Sequence, residues 1–99
     1  MFQVNHIAHL APRSRFEFVA DGRFVRVNRN GLTTWTISER DEDGQYLRGC
    51  AVRHGLSADE KAWVVHTVLG EGDDAEFLTV DEAATVEGAI SAALGFVTL

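Results

Sequence analysis

The sequence predicts an α+β fold: a four-stranded antiparallel β-meander, five-stranded if the N-terminal segment adds a strand, followed by two α-helices packed on one face. Three observations carry this. Residues 15–53 alternate apolar and polar side chains between tight-turn signals, two Ser/Thr-x-x-Glu signatures stand in the second half, and no strand–helix–strand alternation runs through the chain. Ninety-nine residues at 45% hydrophobic and 24% charged fit one domain, residues 1–99, with no repeat, linker or low-complexity segment.

The first hairpin is the best-specified element. Arg15–Ala20 and Arg23–Asn28 flank Asp21-Gly22, a dipeptide that tolerates the positive φ angles of a two-residue type I′ turn. That turn sets Phe18 opposite Val25, Phe16 opposite Val27 and Glu17 opposite Arg26, so Phe16, Phe18, Val25 and Val27 share one face. For the next connection a three-residue loop, Arg29–Gly31, places Trp35 opposite Val25 and keeps it on that apolar face. Strands at Leu32–Arg40 and Gln45–Arg53, joined through Asp41-Glu42-Asp43-Gly44, complete the meander and bring Cys50 near Trp35. In Met1–Pro12, Phe2, Val4, Ala8 and Leu10 alternate well enough for an added strand, although His6 interrupts the phase.

The second half reads as helical. Ser57-Ala58-Asp59-Glu60 and Thr79-Val80-Asp81-Glu82 both have the capping-box pattern, and Gly70 and Gly95 are placed to close the helices, giving about 58–69 and 80–94. Ala58, Ala62, Val65 and Leu69 make the core stripe of the first. Ala83, Val86, Ile90, Ala93 and Leu94 are the buried positions of the second, and Ala84, Gly88 and Ala92 form a strip of small residues that permits close helix–helix approach.

Signals for chemistry are sparse, and no catalytic residue, metal or cofactor is expected. His6-x-x-His9 lacks further ligands, and the acidic runs at 41–44 and 71–74 lack the remaining positions of a calcium loop. Cys50 sits in an apolar strand, a poor setting for a nucleophilic thiolate, even with His54 four residues away. There is no GxSxG, GxxxxGK[ST] or GxGxxG motif.

Charge is the remaining guide. The chain carries a net charge of -6, and from Glu71 onward it holds seven acidic residues and no basic one. That end presents a negative field. On the predicted first helix Trp63 lies about 120° from the core stripe, so Asp59, Trp63, His66 and Thr67 are expected on the outer face as a partner-binding stripe, with Asp73, Asp74 and Glu76 in the acidic loop beyond. These features favour a small acidic protein-interaction module. It would be an inhibitor or accessory protein, of the phage or mobile-element kind, that covers a partner's basic surface, as nucleic-acid mimics do.

An alternative is nucleic-acid binding through Arg15, Arg23, Arg26, Arg29 and Phe24 of the first hairpin; a further one is a small enzyme whose site has no familiar motif. Apolar stretches fall well short of the ~18 residues of a membrane span, and one cysteine with no secretory-type start implies a cytoplasmic protein, monomeric or a small homo-oligomer.

Overall fold

Asp21 and Gly22 adopt φ of 52° and 76°, the pair of left-handed conformations that a type I′ turn requires. The turn joins β1 (Ser14–Ala20) to β2 (Arg23–Arg29) in the register read from the sequence: Phe18 faces Val25, Phe16 faces Val27 and Glu17 faces Arg26. The computed structural model of the protein describes residues 2–55, 62–69 and 72–98. Its other elements are α1 (Phe2–Ala8), β3 (Thr34–Arg40), β4 (Tyr46–His54), β5 (Trp63–Leu69), a 3₁₀ turn (Gly72–Asp74), β6 (Glu76–Ala83) and α2 (Val86–Thr98). The six strands form one antiparallel sheet in chain order, with β1 and β6 at its edges.

Period-two alternation gives the sheet one apolar face, and both helices cover it. Val25, Val27, Trp35, Ile37, Cys50, Val52 and Val65 point into the core from four strands, meeting Val4 and Ile7 of α1 and Ala89, Ile90, Ala93, Leu94 and Val97 of α2. Trp35, 2% exposed, donates its indole N–H to the Ile7 carbonyl oxygen at 2.9 Å. Glu39, also buried, accepts from Arg23 at 2.8 Å and from Arg48 at 3.2 Å, while Arg48 donates to the Val97 carbonyl near the end of α2. That cation sits where the helix dipole is negative, tying β3, β4 and α2 together.

Several expectations are corrected. The β2–β3 loop spans residues 30–33, closed by Asn30 N–H to Thr34 O, and Trp35 faces Arg29 rather than Val25. Arg29 explains the longer loop, because its guanidinium donates to the carbonyls of Gly31 and Leu32 and stacks 4.5 Å over the Trp35 ring. The slip is an even number of residues, so Trp35 stays on the apolar face. The N-terminal segment is a helix, not a fifth strand, since Val4, Ile7 and Ala8 recur at helical spacing and are buried together.

The sheet has six strands because 63–69 and 76–83 extend it. Residues 63–69 are strand β5 rather than helix: Val64, Val65, Thr67 and Val68 are β-branched, and the segment pairs with β4 on one side and β6 on the other. The predicted cap at Ser57 and closing glycine at Gly70 lie outside the described residues. Thr79 is a strand residue opposite His66, not a cap. The second predicted helix instead starts six residues later, with Thr85 as its cap: Thr85 Oγ1 accepts from the Gly88 N–H at 3.1 Å and Thr85 O from the Ala89 N–H at 3.1 Å. It runs through Gly95 to Thr98, so Ala83 belongs to β6 and Ala89 and Val97 join its buried face.

These caps separate the two readings of the C-terminal third in urea denaturation. Thr85→Ala should cost about 0.5–2 kcal/mol, whereas Thr79→Ala should change stability by less than about 0.5 kcal/mol. A larger loss at Thr79 would put the helix start back at residue 79.

Candidate functional site

Among the described residues no helix covers the face of the sheet opposite α1 and α2, and two β-bulges decide what it displays. Between β3 and β4 the register shifts after Glu39, pairing Glu39 with Arg48 but Arg40 with Tyr46, which leaves Leu47 as the extra residue. Strict alternation would send Tyr46 to the helix side with Arg48; the bulge turns it to the open side. Between β5 and β6 the shift falls after Val65, leaving Val80 unpaired and bringing Phe77 to the open face opposite Val68. Each bulge thus adds an aromatic side chain to this face.

The residues expected to form a helical partner-binding stripe do not form one. Asp59 lies outside the described residues. Trp63 points to the helix side, its ring 5.8 Å from Trp35 and 4.9 Å from His54, where it packs against the core. His66 lies on the open face, edge-on to Phe77 at 5.2 Å, and Thr67 donates its hydroxyl to the Gly49 carbonyl at 2.8 Å. His66 and Thr67 are neighbours in mid-strand and point to opposite faces, whereas Asp73, Asp74 and Glu76 lie at the end of the β5–β6 hairpin. Sequence reasoning missed their apolar companions there: Phe77 is 75% exposed, Val68 49% and Leu78 48%.

The arginines of the first hairpin divide by strand alternation. Arg23 and Arg29 face the helix side, bound to Glu39 and to loop carbonyls. Arg15, Arg26 and Phe24 lie on the open face, where Glu17 contacts Arg26 at 3.0 Å and Arg15 at 3.8 Å. Strand pairing adds Arg40 and Arg53 to that face, neither of which the sequence singled out.

At its centre the open face holds a depression of about 230 Å³, with small residues on the floor and Arg40, Tyr46, His66 and Val68 around it. Two buried side-chain nitrogens there, Arg40 Nε and His66 Nδ1, have no hydrogen-bond partner among the described residues. Desolvation holds the His66 imidazole below its ordinary pKa of 6.5, and the Arg53 guanidinium adds to the effect. His66 is therefore neutral at pH 7, able to donate from one ring nitrogen and accept at the other.

Elsewhere titratable side chains serve packing. Cys50 is buried with its thiol toward the Ala93 carbonyl at 3.7 Å, and burial pushes its pKa up to about 12, so the reactive thiolate does not form at neutral pH. His54 sits four strand residues away against Trp63. His6 lies in α1 against the Phe16 ring and His9 bonds the Asn5 carbonyl. Among the described residues no three of His, Cys, Asp and Glu gather as a metal site, and no helix is long and apolar enough to cross a membrane. The chain matches no protein-family model, no curated protein and no solved structure.

The depressed pKa of His66 makes a pH prediction. The folded imidazole is the weaker base, so in the window just below pH 6.5 the unfolded chain binds more protons, and the His66 contribution to stability falls as pH drops. Compared by urea denaturation between neutral pH and about pH 5, His66→Gln should lose less stability on acidification than the wild-type chain. Equal losses would place the imidazole in ordinary solvent.

Proposed function

We propose that the protein is an interaction module that works by occupancy, as an inhibitor or accessory protein does, and that its contact surface is the outer end of the β5–β6 hairpin. The observation that supports this reading is Phe77, 75% exposed beside Val68 on the open face, with Leu78 exposed on the other side of the same strand and Asp73, Asp74 and Glu76 exposed at the hairpin end. An aromatic anchor inside a polar rim is the usual form of a binding hot spot, and leaving such a cluster in water costs solubility without adding to the core. The rim favours one kind of partner. With seven acidic residues and no basic one from Glu71 onward, the surface suits a protein that is apolar at its centre and basic at its edge.

The doubly substituted Phe77→Ser, Leu78→Ser chain tests the reading, because both side chains are solvent-facing and the fold should survive their loss. The wild-type chain should retain a stoichiometric protein partner from a source lysate at low salt and release it as salt rises. The variant should lose about 2 kcal/mol of affinity or more. A partner held equally by both chains, or held independently of salt, overturns the proposal.

A second reading, single-stranded nucleic acid on the open face, is favoured by Arg15, Arg26, Arg40 and Arg53 lying there with Phe24 and Tyr46. Glu17 offsets two of those arginines, and the net charge of -6 opposes the approach of phosphates. Under this reading a labelled single-stranded oligonucleotide binds at low salt and is lost with Arg26→Ala and Phe24→Ala, while Phe77→Ser is neutral. No binding at low salt rejects it.

A further inference from the structure

Strand alternation separates Arg40 from its neighbouring carboxylate. Glu39 turns to the helix side and is shared by Arg23 and Arg48. Asp41, next along the chain, closes the β3–β4 turn by accepting from the Asp43 and Gln45 amides at 2.9 and 2.8 Å. Arg40 is thus a half-buried guanidinium with no acidic partner among the described residues, its Nε unbonded and the Tyr46 ring 5.2 Å away. A partly desolvated cation without a counter-charge is costly unless something else supplies the charge.

The surroundings look built for a ligand rather than left over. Thr36, Ser38, Gly49 and Ala51 make a low floor, Tyr46 and Val68 stand at its sides, and among the described residues no Asp or Glu lines the depression. Gly49 is required there: a Cβ would come 2.9 Å from the Ile37 carbonyl oxygen and 3.1 Å from Tyr46 Cε2. Arg40 also lines a larger depression of about 330 Å³, but Glu17, Asp41 and Glu42 line it too and repel the anion that Arg40 calls for.

We propose that the depression binds a small aromatic carboxylate, its carboxylate paired with the Arg40 guanidinium, its ring lying between Tyr46 and Val68, and His66 as a second polar contact. One guanidinium over hydroxyl and apolar groups matches a single negative charge with a flat body. A phosphate dianion would meet one full counter-charge and the field of an acidic protein. Tyr46 is exposed and makes no hydrogen bond among the described residues, so its ring is the part that swings aside to uncover the guanidinium. This site adjoins the Phe77 surface, sharing Val68 and touching Phe77 through His66, but it rests on Arg40 and Tyr46, which that surface does not use, so Arg40→Gln tests it without disturbing the other proposal.

The test is a titration of the full chain with benzoate, followed by amide chemical shifts, with benzamide and inorganic phosphate as controls. Benzoate should give saturable shifts at Thr36, Ser38, Gly49, Ala51 and His66. Benzamide, the same ring without the charge, should bind about tenfold more weakly, and Arg40→Gln should weaken benzoate by a similar factor. Tyr46→Leu, which keeps the cation and removes the ring, should weaken benzoate while leaving the remaining amide spectrum in place. Absence of saturation at these amides, benzamide binding as tightly as benzoate, phosphate displacing benzoate at equal concentration, or full affinity in the Arg40→Gln chain would each overturn the proposal.

Discussion

The hydrogen bond from the Trp35 indole to the Ile7 carbonyl holds the N-terminal helix against the middle of the sheet. A seven-residue helix has too few internal bonds to persist alone in water, so α1 exists because the sheet gives it a surface and a buried donor. The same indole carries Arg29 on one face and the edge of Trp63 on another. Arg29 in turn reaches the carbonyls of Leu10, Gly31 and Leu32, fixing both the chain entering β1 and the loop between β2 and β3. Through this one side chain the N-terminal helix, the loop and β5 share a single anchor, and all of them lie on the helix side.

The consequence is that the two faces of the sheet have different jobs. The core lies on one side, including Glu39, the one buried acidic side chain among the described residues. Polar and aromatic groups on the other side are released from packing, and what they do depends on where alternation is broken. Without the bulge after Glu39, Tyr46 would compete with Arg48 for space beside α2. Without the bulge at Val80, Phe77 would face the helices rather than stand beside His66. Both candidate surfaces owe their aromatic side chains to single extra residues.

That dependence shows what was legible in the sequence. Asp21-Gly22 specifies a turn of fixed length, so the first hairpin could be written residue by residue. Trp35 could be assigned its face but not its register, because the carbonyl-holding role of Arg29 is not a local pattern. Residues 63–69 were misread because Ala58, Ala62, Val65 and Leu69 satisfy helical spacing, while the competing signal, the β-branched run Val64, Val65, Thr67 and Val68, is decided by an open edge on β4 that no local window contains. Asp73, Asp74 and Glu76 stand together because they are neighbours in the chain, which charge counting sees without any secondary structure. Arg40, Tyr46 and Phe77 were missed because their shared face exists only once strands are paired and bulged.

An exposed Phe on an edge strand would ordinarily invite a second copy to extend the sheet, since β6 ends it and offers unpaired backbone groups. The acidic residues of β6 oppose that. A second copy of Glu76–Ala83 added along this edge would set two strands side by side, each carrying Glu76, Asp81 and Glu82, and the like charges repel. Placing charge on an edge strand is a common defence against self-association. Under the proposed function the same acids serve twice: charge excludes the identical partner, and the exposed aromatic within it would supply contact area for a complementary, basic one.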